Sequence, residues 1–128
     1  MIYSPEVPVF RLDDGTWIDR YNISIVTSPA VNAGVVRSRI HRKDVDKQIN
    51  EAMYERMARI LQLFELKRIP ILILGSFGTG VFKNDPELVA KAWSELLSGR
   101  FKNSFKHVVM AIKDYKTFST FQKHFLIK

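Results

Sequence analysis

Four consecutive apolar residues, Ile71 to Leu74, stand between Pro70 and a loop holding Gly75, Gly78 and Gly80. No other feature restricts the fold of this chain as tightly. An unbroken apolar run of that length between breakers predicts a buried strand covered on both faces. Three of the chain's six glycines then fall within six residues. Asp85-Pro86-Glu87 follows as a helix start, with a capping side chain and then proline at the first helical position. The unit reads as strand, glycine loop, helix.

The flanking segments fit around that unit. Val7-Pro8-Val9-Phe10 reads as a short strand, Asp13-Asp14-Gly15 as a turn, and Thr16-Trp17-Ile18 as the returning arm of a hairpin. Ile23 to Thr27 is a further β-branched run, stopped by Ser28-Pro29. Residues 30–43 read as loop. Ile49, Met53, Met57, Ile60 and Phe64 recur at spacings of three and four, predicting one long helix from Asp44 to about Lys67. Pro70 ends it, because proline disfavours helical geometry in the residue before it. Leu88, Val89, Ala92, Trp93, Leu96 and Leu97 form the buried face of the next helix, with Gly99 at its exit. His107 to Ile112 predicts another strand, and Phe118, Phe121 and Phe125 stripe a final helix, most simply as core packing, with a partner surface as the second reading. The order β-β-α-β-α-β-α predicts an α/β architecture, helices packed on a sheet, in one domain over residues 1–128.

Composition narrows the function. An apolar content of 46% argues against disorder, and no stretch has the length of a membrane span. The opening Met1-Ile2-Tyr3-Ser4-Pro5 lacks the blocks of a secretory signal. With no cysteine, disulfides, Cys–zinc sites and thiol catalysis are excluded, which fits a cytoplasmic location. Lys and Arg outnumber Asp and Glu by 20 to 13, a net charge of +7 that favours anionic partners. The densest basic stretch, Arg37 to Lys43, carries no interleaved aromatic platform. It reads as a solvated loop, and nucleic acid is not the expected partner. His41, His107 and His124 share no metal-ligand spacing, so neither a metal nor a cofactor is expected. Ser28 has no identifiable companions for a nucleophilic triad.

Glycines at the carboxyl end of a strand permit positive φ and let backbone N–H groups approach an anion, to which the next helix adds its positive end. Gly75, Gly78 and Gly80 therefore read either as a phosphate cradle or as a tight structural connection. Their spacing, GxxGxG, is neither a Walker A sequence nor a Rossmann fingerprint. Phe77 and Phe82 favour the cradle, since aromatics in such a loop suit a sugar or base better than a core; a hydrophobic lid over the loop is the alternative. Thr27 to Gly34 is a second unusual segment, which adjacent strand ends would place beside the glycine loop. Asn32 within it contacts a ribose or base edge, or makes an Asx-turn before Gly34; taken alone, the turn is favoured.

These segments, with Tyr3 to Arg11 ahead of them, stand in the order YSPxVxVFR, TSPAxNAG, a long helix, then LGxxGxGVFxNDPxxVA. That order resembles the bacterial-type poly(ADP-ribose) glycohydrolases, whose fold is macrodomain-like, a mixed sheet with flanking helices. The resemblance runs nearly to the C-terminus and starts near the family's midpoint, so it implies an N-terminally truncated version of that fold. It implies ADP-ribose or a related nucleotide as ligand, with Gly75, Ser76, Phe77, Gly78, Thr79, Gly80, Val81 and Phe82 as the loop that binds the diphosphate. Phe82 would pack against a ribose, and Asn32 would lie in the segment lining the nucleotide cleft. Thr79 stands where the family usually has Cys; both are small, so phosphate binding is expected to survive.

The family's catalytic signature, a glycine-rich stretch followed by Gln-Glu-Glu, has no counterpart in these residues. Glycosidic cleavage needs a carboxyl group to protonate the departing oxygen or to activate water. Glu51, Glu55, Glu65, Glu87 and Glu95 fall at solvated helix positions, and Glu6 lies in the opening segment. No catalytic residue is assigned. The leading expectation is a truncated module that binds ADP-ribose. The alternatives are a glycohydrolase whose catalytic half comes from another chain, or a structural fragment that binds nothing. Loss of the first half would expose sheet edge, which implies a homo-oligomer or a partner chain covering it.

Overall fold

The computed structural model describes residues 1–125. Its first element is a hairpin: β1 (Ile2–Arg11) pairs antiparallel with β2 (Trp17–Thr27). The turn uses Gly15 at φ +87, and Asp14 Oδ1 accepts a hydrogen bond from the Thr16 N–H at 2.9 Å. Both arms are longer than the sequence reading, and β2 runs unbroken through Asp19 to Asn22. Ladder pairing overrides the polar side chains there, as context commonly does in strands. The ribbon stands apart from the core, and in β2 Val26 is the residue partly packed against it.

Residues expected as loop contain a short helix, α1 (Ala33–Arg39). It buries Ala33 alone and so leaves no apolar stripe for periodicity to detect. α2 (Val45–Leu66) follows Asp44 as read, with Ile49, Met53, Met57, Ile60, Leu61 and Phe64 buried. Arg68, at φ +55, turns the chain out of it ahead of Pro70. No described helix is long and apolar enough to cross a membrane.

β3 (Ile71–Leu74) and β4 (His107–Met110) pair in parallel, with Ile71 opposite His107 and Leu74 opposite Met110. Parallel neighbours need a crossover connection, which α3 (Pro86–Ser98) supplies. Leu72 and Leu74 are buried, yet Ile71 and Ile73 are 59% and 74% exposed. This corrects the expectation of a strand covered on both faces: among the described residues one face of the pair meets the core. In α4 (Tyr115–Phe125), Phe121 is buried while Phe118 and Phe125 stay exposed. The expected three-residue core stripe is therefore one residue wide. Trp93, Phe101, Phe121, Met57, Leu61 and Leu72 are the largest fully buried side chains. The expected mixed α/β architecture with flanking helices is present, its strands divided between two small sheets.

Candidate functional site

The loop leaving β3 is two consecutive turns. The Thr79 N–H donates to Ser76 O and the Lys83 N–H to Gly80 O, each at 3.0 Å. Gly78 occupies the third position of the first turn at φ +76, where a type II turn requires a positive value. A Cβ on Gly78 would lie 2.4 Å from Ala30 Cβ and 2.7 Å from Asn84 Nδ2. Packing therefore demands this glycine. Gly75 and Gly80 are different, since neither has positive φ. A Cβ on Gly75 would meet Ala111 O at 3.7 Å, and one on Gly80 would meet nothing within 4 Å. Nothing among the described residues requires glycine at either position.

The loop amides divide in the same way. Those of Thr79, Lys83 and Asn84 are held by loop carbonyls. Among the described residues, those of Phe77, Gly78, Gly80, Val81 and Phe82 have no backbone acceptor. Val81 is 90% exposed, so its side chain does not plug the rim. The helix that follows adds less positive potential than expected. The Glu87 N–H donates to Asp85 Oδ1 at 2.9 Å, and Glu87 itself lies in the first turn of α3. Two carboxylates already meet the positive end of the helix.

The aromatic residues also differ from their reading. Phe77 lies 6.5 Å from Trp93 between ring centroids, and both Phe77 and Phe82 pack partly against the core. Trp93 Nε1 donates to Gly75 O at 3.2 Å, anchoring the start of the loop to a buried ring.

Residues 28–34 do lie against the glycine loop. They reach it by loop contacts and not by adjacent strands, because β2 and β3 belong to different sheets. The Gly34 N–H donates to Phe82 O at 3.1 Å. Asn84 is 5% exposed, and its Nδ2 donates to Val31 O at 2.8 Å and to Gly78 O at 2.9 Å. Arg37 braces the far end, with Nη1 donating to Lys83 O at 2.9 Å and Nε to Asp46 Oδ1 at 2.7 Å. It is therefore tied down, unlike the solvated residue read from its basic neighbours. Asn32 takes the local role: its Oδ1 accepts from the Val35 N–H at 3.2 Å as the cap of α1. Sequence reading singled out neither Asn84 nor the bracing by Arg37. A lone buried polar side chain leaves no periodic signal.

Every glutamate is exposed. Glu6 accepts from Asn22 Nδ2 at 2.9 Å, and Glu51, Glu55 and Glu95 pair with lysine or arginine one helical turn away. Glu87 lies 2.6 Å from His124, and Glu65 accepts from the Ser104 hydroxyl. Among the described residues no cluster of His, Asp or Glu is placed to hold a metal. Three concavities of about 180, 190 and 200 Å³ lie elsewhere, and none is lined by residues 75–82. Among the described residues, the loop presents an open rim at Gly80 and Val81.

No family model matches the chain, nor does any curated protein. Solved structures do. Poly(ADP-ribose) glycohydrolase from Deinococcus radiodurans in complex with ADP-ribose shares 35% identity with a TM-score of 0.88, over 95% of this chain and 50% of that one. The apo form of the same protein matches with 35% identity and a TM-score of 0.86, over 95% and 51%. The glycohydrolase from Thermomonospora curvata matches with 34% identity and a TM-score of 0.86, over 96% and 46%. The chain thus spans about half the length of the structures it resembles. Matching them in fold and sequence over nearly all of its own length, the chain is a counterpart of about half of the bacterial poly(ADP-ribose) glycohydrolase fold.

Proposed function

We propose that the chain, acting as one domain over residues 1–128, binds ADP-ribose through the loop Gly75 to Phe82. The observation that carries this reading is the contrast among the glycines. Gly78 is explained by packing against Ala30 and Asn84, whereas Gly80 faces open space beside the unengaged amides of Val81 and Phe82. A position without a Cβ that the protein itself does not need suits the close approach of a diphosphate. Ser76 and Thr79 line the same turn, and the exposed part of Phe82 is available to a ribose. Asn32, with its Oδ1 engaged at the helix cap, can offer its amide nitrogen. A rim without walls binds more weakly than a closed cleft, which commonly encloses roughly 300–1,000 Å³. Isothermal titration with ADP-ribose tests the reading. Heat saturating below millimolar ligand is expected, and none at millimolar ligand from folded protein removes the idea.

A second reading is favoured by the bare strand face. Ile71, Ile73 and Val109 lie exposed on one side of the parallel pair, an arrangement that parallel sheets avoid. A further polypeptide segment covering them would complete the fold and contribute the carboxylates of a glycohydrolase. The chain alone is then expected to release no ADP-ribose from poly(ADP-ribose). Release by the pure chain would show that a catalytic carboxylate lies within it.

A further inference from the structure

We infer that Asn84 is the positioning residue of the nucleotide loop: its buried amide latches the 76–83 turns onto residues 30–34 and holds the rim in shape before any ligand arrives. The inference rests on the reading of Gly75 to Phe82 as the ligand loop. One Nδ2 group serves two carbonyls from segments 47 residues apart, Val31 at 2.8 Å and Gly78 at 2.9 Å. The Asn84 backbone N–H adds a third bond, also to Gly78 O, at 3.2 Å. Both hydrogens of the side-chain amide are thus engaged, while its Oδ1 is buried and meets no donor among the described residues. A buried acceptor left without a donor is costly. The two donated bonds offset that cost, although each carbonyl also accepts a backbone bond, Val31 O from the Ala33 N–H at 3.0 Å and Gly78 O from Asn84 itself. Gly78 completes the latch from the other side. Its missing Cβ is the space that Asn84 Nδ2 and Ala30 Cβ occupy.

A loop whose own amides are largely unengaged has little local reason to keep one shape. Its ends are anchored, at Gly75 by Trp93 and at Lys83 by Arg37. The stretch between them is tied across to residues 30–34 by Asn84 and by the Gly34–Phe82 bond. Ordering a rim on ligand arrival costs affinity, and pre-ordering removes that cost. Asn84, 5% exposed, acts through the two carbonyls it holds.

The test is amide hydrogen exchange without ligand, on the wild-type chain, Asn84→Ala and Gly78→Ala, followed by titration with ADP-ribose. Exchange about tenfold faster at the hydrogen-bonded amides of Ala33, Gly34, Thr79 and Lys83, beyond any change shared with α2, is expected in both variants. ADP-ribose affinity is expected to fall about tenfold alongside. Unchanged loop exchange in Asn84→Ala overturns the inference, as does a uniform acceleration that includes α2. Should Asn84→Ala fail to fold, Gly78→Ala decides by the same two patterns. If the wild-type chain does not bind ADP-ribose, the proposed function fails, and the exchange experiment still judges the latch.

Discussion

Gly78 and Ala30 approach so closely that a methyl group on the glycine would come within 2.4 Å of the Ala30 Cβ. The contact joins segments far apart in the chain, and it separates the roles of the loop glycines. Gly78→Ala combines that overlap with a positive φ of 76, so a loss of about 1–3 kcal/mol is expected from urea denaturation. Gly80→Ala meets open space and should stay within about 0.5 kcal/mol of wild type, yet weaken ADP-ribose binding. Equal destabilisation by both changes would remove the distinction on which the proposed site rests.

Trp93 is 1% exposed and donates to Gly75 O. Trp93→Ala is expected to cost about 3–5 kcal/mol through the cavity it leaves. Trp93→Phe keeps much of the packing and loses the hydrogen bond, for about 1–2 kcal/mol. Denaturant midpoints at constant m-value would check the order.

Neighbouring residues of β3 should respond oppositely. Leu72 is 2% exposed and Ile73 74%. Leu72→Ala is expected to lose about 2–5 kcal/mol, while Ile73→Lys stays within about 0.5 kcal/mol in the isolated chain. If a polypeptide covers this face, Ile73→Lys abolishes its binding, measured by co-elution with the separately produced remaining half of the Deinococcus protein. Binding that survives the lysine places that segment elsewhere.

Acid should act on α4 through Asp114. Its Oδ1 accepts from the Thr117 N–H at 2.9 Å. The hydrogen bond from the Thr117 backbone, followed by that from its side chain, holds the carboxyl below its ordinary value. A depressed folded value means the contribution is complete above the unfolded value and disappears as pH falls through the folded one. Asp114→Ala should therefore lower Tm at pH 7, and the difference should shrink once pH drops below about 4. A gap between the two melting curves that is the same at pH 7 and pH 2.5 would count against this carboxylate as the cause.

Much of the fold was legible because its signals are local. The stripe from Ile49 to Phe64, the Asp13-Asp14-Gly15 turn and the Asp85-Pro86 helix start each depend on residues within a few positions of one another. So did the unusual glycine loop, though not the reason for each glycine in it. Tertiary structure alone decided that Gly78 serves packing, that Phe77 turns toward Trp93, and that Asn84 joins two distant carbonyls. It also decided that Ile71 and Ile73 lie bare. An apolar run specifies what a strand can bury, but which of its faces is covered depends on elements brought from elsewhere in the fold. A hydrogen bond between residues 31 and 84 has no period along the chain. Such pairings exist only once the core has set the two loops side by side.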